Sequence, residues 1–149
     1  MPLKVSSSMS LSRRTERCYV CGPENAEGLH IEFEADSPTS ARAIYIAREE
    51  HCGWPGLLHG GLAFTLMDEA LAYALYFQNL YGVTAKAETR FRQPIRAGAK
   101  LLIRAWTLER RRRVVDARAE IRAEGEDGDL LAETNATMYL QEVEPPVKN

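Results

Sequence analysis

The chain has 149 residues, 45% of them hydrophobic and 27% charged, with a net charge of -2 and an isoelectric point near 6.0. That is the make-up of one ordinary globular domain, with no global pull toward nucleic acid or an anionic membrane. Three cysteines, an odd number, make no secreted disulfide framework, and Met1 to Arg17 holds no apolar core of signal-peptide length. The expected compartment is therefore the cytoplasm.

Residues 1–17 are polar, Ser-rich and without periodicity, and are expected as a flexible tail; residues 18–141 carry the domain and 142–149 a Pro-containing tail. Cys18-Tyr19-Val20-Cys21-Gly22 opens the domain. A CxxC pair is half of a tetrahedral zinc site, which His30, His51 or Cys52 would have to complete. There is no second CxxC, and a redox pair would sit at a helix start in a βαβ pattern that this chain lacks. The expectation is two small, partly buried thiols in a turn, with no metal. Leu29 to Asp36 alternates, with Leu29, Ile31, Phe33 and Ala35 on one face, and reads as a half-buried strand. The turn Ser37-Pro38-Thr39 joins it to a second strand, Ala41 to Ala47. Glu49 to Leu58, holding His51, Gly53, Trp54 and Gly56, reads as a loop, with Trp54 capping the core or lining a pocket.

His59-Gly60-Gly61 then begins the stretch that organises the rest. From Leu62 to Phe77 there is no Gly or Pro, and the apolar run continues to Leu80. Leu62, Leu66, Ala70 and Ala74 are matched by Phe64, Leu71 and Leu75 elsewhere on the wheel, which predicts a helix buried nearly all round. Asp68 and Glu69 at its centre argue against a membrane span, because uncompensated carboxylates are costly in lipid. Gly82 is the expected C-cap. Val83 to Phe91, Lys100 to Arg110, Arg113 to Glu124 and Leu130 to Gln141 follow as alternating strands, with a charged corner at Arg110 to Arg113 and an acidic turn at Gly125 to Asp129. Alternation of this kind belongs to an antiparallel sheet with one wet face. One buried helix with about six such strands is an α+β fold in which the curved sheet wraps the helix, its alanine-rich inner face allowing close approach. A single helix leaves much of the sheet uncovered, and Val83 to Phe91 reads as a free edge, so a homodimer is expected.

Glycines at a helix start present unpaired amides, here those of Gly60 and Gly61, to an anion or oxyanion. Asp68, nine residues after His59, lies about two turns into a helix of core residues and must be either paired or given a task. These residues alone divide evenly between the two.

His59-Gly60-Gly61 followed by Asp68 resembles the signature of hotdog-fold acyl-CoA thioesterases, in the branch of the phenylacetic-acid-degradation and 4-hydroxybenzoyl-CoA enzymes. Gly53-Trp54-Pro55-Gly56-Leu57-Leu58 before it is similar to that family's loop, as is Arg90-Phe91-Arg92-Gln93-Pro94-Ile95-Arg96-Ala97-Gly98 after the helix. The likeness covers Leu29 to Gln141, and Cys-x-x-Cys-Gly with Asn25 and Gly28-Leu29 resembles one subgroup. The resemblance implies a hotdog domain paired as a homodimer or dimer of dimers, with acyl-CoA as substrate and no further cofactor. Gly60 N–H would polarise the thioester carbonyl while His59 shapes the same turn. Asp68, from the other subunit, would act as general base or nucleophile, and Thr84 would bond the attacking water. Gly61, Trp54 and His51 would line the substrate site, with Arg90, Arg92 and Arg96 offered to the CoA phosphates. Many relatives carry Asn six residues before the His, where this chain has Gly53; His51 or Thr84 would substitute for it. The competing readings are a non-hydrolytic hotdog protein that binds acyl-CoA or another apolar ligand, a dehydratase, which would need a His near Asp68, and a nucleic-acid module on the arginine corner, which the acidic balance disfavours.

Overall fold

A computed structural model describes residues 10–11, 15–124 and 128–143. Its strands are β1 (Ser10–Leu11), β2 (Glu34–Ser37), β3 (Ser40–Ile46), β4 (Gly82–Phe91), β5 (Lys100–Arg111), β6 (Val114–Ala123), β7 (Leu130–Leu140) and β8 (Glu142–Val143), and its one α-helix is α1 (Gly60–Tyr76). Six strands form one sheet in the order β2-β3-β5-β6-β7-β4, every neighbouring pair antiparallel. The sheet curves around α1 as the hotdog resemblance implied, and β4 stands at its edge. Ser10–Leu11 pairs in parallel with Glu142–Val143, joining the two expected tails. The rest of those tails, and residues 125–127 of the expected acidic turn, lie outside the described residues.

The core follows the alternation. Ala41, Ala43 and Tyr45 of β3, Leu101, Ile103 and Ala105 of β5, Val115, Ala117, Ala119 and Ile121 of β6, and Ala132, Ala136 and Met138 of β7 are all buried. The outer face is knitted by ion pairs. Glu133 receives Arg92 at 3.0 Å and Arg118 at 3.1 Å, and Glu120 receives Arg122 at 2.8 Å. The hydrogen bond from Arg92 holds the Glu133 carboxyl below its usual range.

Four expectations are corrected. The Leu29–Asp36 strand is shorter: Leu29 and Ile31 are buried but donate their N–H groups to Tyr19 and Val20, and only Glu34–Ser37 joins β3, with Ala35 exposed. The helix is not buried all round. Ala63, Leu66, Met67, Ala70, Leu71, Ala74 and Leu75 face the sheet, while Gly61, Thr65, Asp68, Ala72 and Tyr76 form a partly or fully open stripe. Gly82 is not the helix cap. Asn79 takes the left-handed conformation (φ 58°), its N–H bonding Tyr76 O, while Leu80 N–H reaches back to Leu75 O, the pair of bonds that closes a Schellman motif. Gly82 instead starts β4 where a Cβ would stand 2.9 Å from both Leu75 Cδ1 and Tyr139 O, so its role is close approach. The fourth is β4 itself: a bulge between Thr84 and Lys86 shifts its register against β7. Thr84 pairs with buried Met138 and Thr89 with buried Thr134, so both face inward although five residues apart. No helix among the described residues is long and apolar enough to cross a membrane.

Candidate active site

The loop before α1 and the turn after β4 are bound together by backbone. Leu58 N–H donates to Ile95 O at 2.8 Å, Ala97 N–H donates to Gly56 O at 2.9 Å, and Leu57 bridges Arg96. The two sequence motifs therefore form one wall, and between them and the helix start opens a mainly apolar cleft of about 730 Å³. Trp54, Leu57, His59, Gly60, Phe91 and Arg92 are among its lining residues. Trp54, 81% exposed, stands at its rim and does not cap the core.

His59 is the N-cap of α1: its Nδ1 accepts the N–H of Gly61 at 2.9 Å. This bond needs an unprotonated Nδ1, which puts the proton of a neutral imidazole on Nε2. The sequence suggested two free amides at the helix start. The structure spends that of Gly61 on His59 and leaves Gly60 N–H, which bonds no described residue, at the cleft.

Asp68 lies on the open stripe of α1. Thr84 Oγ1 donates to Asp68 Oδ1 at 2.6 Å and also sits 3.3 Å from Met138 Sδ. The β4 bulge turns Thr84 inward to make this contact. Asp68 is eight positions beyond Gly60, about 12 Å along one helix. One chain therefore does not bring its own Gly60 amide and its own Asp68 carboxylate to the two sides of a single carbonyl carbon.

His51 lies behind the cleft, not in it. Its Nδ1 contacts Tyr45 Oη at 2.6 Å, and its carbonyl accepts the His59 N–H at 2.9 Å, so it supports the capping residue from outside the lining. Burial lowers the His51 pKa and raises that of Tyr45. At Gly53 a Cβ would stand 3.1 Å from His59 Cδ2, tighter than an ordinary contact. The His59 ring thus fills the space that an Asn side chain would enter, a physical reason for Gly53. Arg92 lines the cleft while paired with Glu133; Arg90 is exposed and 3.8 Å from Glu88; Arg96 is exposed with no ion pair among the described residues. At the arginine corner Arg111 pairs with Asp116 at 3.0 Å and Arg113 with Glu142 at 3.7 Å, as expected of a charged hairpin end.

The Cys18–Cys21 turn has a neighbour on the central helix. Cys18 Sγ contacts Glu69 Oε1 at 3.3 Å, so this helix carboxyl group meets a thiol. Burial pushes the Cys21 thiol up to about 12. The residues considered as completing a zinc site are engaged elsewhere: His30 Nε2 lies 2.6 Å from Asn25 O, His51 bonds Tyr45, and Cys52 Sγ reaches Arg48 O.

Comparison with known proteins agrees with this architecture. The family model described as "Thioesterase superfamily" matches residues 55–128, from the loop before the helix through β6. A curated Deinococcus radiodurans protein named "Putative esterase" is 34% identical over 109 residues, 72% of each chain. The solved structure of RHA08564, a thioesterase superfamily protein, superposes with a TM-score of 0.73 at 27% identity; it covers 79% of this chain, which spans 60% of that one. A hypothetical thioesterase from Streptococcus pneumoniae TIGR4, solved with coenzyme A, superposes at 0.70 with 18% identity over 77% of this chain and 88% of its own, a likeness of fold. Sheet, helix and matched relatives together establish that the chain is a hotdog-fold member of the thioesterase superfamily.

Proposed function

We propose that the protein is an acyl-CoA thioesterase whose active site is shared between two subunits. The observation that carries this is the unspent amide of Gly60, the first residue of α1, in the lining of an apolar cleft, with Asp68 on the open stripe of the same helix. A two-fold axis that sets two such helices antiparallel places Gly60 of one chain beside Asp68 of the other and resolves the 12 Å separation. The open edge at β4 and the exposed Phe91 offer the surface for that pairing, as a dimer or a dimer of dimers.

In the proposed reaction the thioester carbonyl oxygen takes the hydrogen bond of Gly60 N–H, reinforced by the helix dipole, as negative charge develops on it. Asp68 removes a proton from water as the water oxygen bonds to the carbonyl carbon. The tetrahedral intermediate collapses with cleavage of the C–S bond, and the proton held by Asp68 passes to the departing CoA sulfur. Attack by Asp68 itself, through an anhydride that water then opens, uses the same atoms. Thr84 steadies the carboxylate in either case, and no Lewis acid is required. Arg92 of the cleft lining, with Arg90 and Arg96 exposed nearby, would meet the CoA phosphates. The Streptococcus pneumoniae relative solved with coenzyme A supports a CoA-type ligand. Three free thiols support a reducing, cytoplasmic compartment.

The replacement of the family Asn by Gly53 favours one second reading, a protein that binds an acyl-CoA without hydrolysing it. Thiol release from an acyl-CoA panel, with sedimentation of the same sample, separates the two. Hydrolysis by a dimer or tetramer supports the enzyme. Tight binding without turnover selects the binder, and a strict monomer of about 17 kDa at micromolar concentration defeats the shared site.

A further inference from the structure

We propose that Cys18, Cys21 and Glu69 form a binding site for a thiophilic divalent cation such as zinc, fastening the N-terminal turn to α1. The ligand atoms of the three residues, all half-buried, lie within 4.8 Å of one another. A tetrahedral zinc ion at usual bond lengths holds its thiolate and carboxylate atoms about 3.4–3.8 Å apart. The Cys18–Glu69 pair, at 3.3 Å, is already near that spacing, and the others need move by at most about an ångström.

The turn is built rather than incidental. Cys18 N–H bonds Thr15 O, Gly22 N–H bonds Cys18 O, and Cys21 N–H points at Cys18 Sγ from 3.5 Å, a backbone donor directed at the sulfur that would carry negative charge. A Cβ at Gly22 would stand 2.3 Å from Cys18 N, so only glycine allows the chain to fold back this tightly. Val20 is buried, and the bonds of Tyr19 and Val20 to Leu29 and Ile31 tie the turn to the core. Glu69 comes from a rigid helix, and Tyr73, about one turn further along it, lines the same cavity. A disulfide would have no use for a carboxylate directed at the pair, whereas two thiolates and one carboxylate are a zinc donor set. The three residues line a cavity of about 330 Å³, which leaves room for water as a fourth ligand. None of the three takes part in the proposed hydrolysis, so the site is independent of it.

The full-length protein, reduced and stripped with chelator, is titrated with cobalt(II) and then zinc. One cobalt per chain is expected, with thiolate-to-cobalt charge transfer and the visible bands of a tetrahedral site, displaced by zinc. Cys18→Ser and Cys21→Ser should each weaken or abolish the charge-transfer band. Glu69→Gln, a mild change read with circular dichroism as a folding control, should weaken binding by at least about tenfold, the lower limit for loss of even an outer-shell partner. Reduced wild-type protein that takes up no stoichiometric cobalt overturns the proposal. So does a Glu69→Gln variant that binds as tightly as wild type, or uptake that survives both cysteine substitutions.

Discussion

Gly60→Pro removes the proposed hydrogen-bond donor, putting the ring Cδ where the N–H was, and leaves the helix start intact. Gly60 is the first residue of α1, where proline is well tolerated because its fixed φ suits a helix and the missing N–H has no intrahelical partner. His59 before it has φ -61° and ψ 131°, the extended conformation that a following proline favours. A Cβ at Gly60 meets only the Phe91 ring, at an ordinary 3.6 Å, and the His59–Gly61 cap is untouched. Replacing glycine with proline at a compatible site restricts the unfolded chain and stabilises by about 0.4–1 kcal/mol. Loss of an oxyanion donor costs about 10²–10³ in kcat, or about 2.7–4 kcal/mol of barrier. The two readouts should therefore move in opposite directions: thermal stability is held or raised while turnover collapses. The assay is thiol release on the best acyl-CoA found, with a melting curve of the same preparation. A folded Gly60→Pro protein with near wild-type kcat would refute Gly60 N–H as the donor and leave the oxyanion reading without a group to perform it.

Asp68→Asn should keep Thr84 as a hydrogen-bond partner through its amide oxygen, hold the fold, and lower kcat by about 10²–10⁴. Mixing Gly60→Pro and Asp68→Asn chains under subunit exchange should restore activity, since one of the two shared sites in each heterodimer is then intact; no recovery would place both groups in one chain. Thr84→Val should cost the Asp68 hydrogen bond, about 1.5–3 kcal/mol for a charged acceptor before discount for partial exposure, and should lower kcat with little change in KM. The pKa of His51 is lowered from 6.5 by burial, so the fold favours its neutral form; that stability is present above pH 6.5 and is lost as pH falls below it. Melting temperature should thus fall more steeply on acidification in wild type than in His51→Gln, and parallel curves would remove His51 from the account.

Most of the fold was legible because its strands alternate and its helix lacks breakers. The inward positions of β5, β6 and β7 follow from period two alone, as Leu101, Val115 and Ala132 illustrate. Leu29 and Ile31 alternate in burial without being sheet strand, because pairing with Tyr19 and Val20 buries the same face as a ladder would. Thr84 breaks the pattern. Simple alternation groups it with Lys86 on the outer face, and only the bulge between them turns it toward Asp68. The helix start was legible as a motif, but a capping histidine that removes one of two glycine amides is a side-chain conformation, and no spacing rule encodes it. The contact of Glu69 with Cys18 joins positions 51 residues apart, and no local pattern encodes it.

The alanines under the helix carry a further consequence. Ala43, Ala105, Ala117 and Ala119 are buried at positions where other sheets carry valine or leucine, and their small size sets how closely α1 lies on its cradle. They act as a gauge block for a helix that bears both Gly60 and Asp68. A single added branch, such as Ala119→Val, overpacks this layer, and part of that strain relaxes by lifting the helix by a fraction of an ångström. In a two-fold pair both helices would lift, so a substitution touching no reactive atom would change the gap between amide and carboxylate twice over. Fine adjustment of such a site belongs to the floor beneath it as much as to the residues facing the cleft.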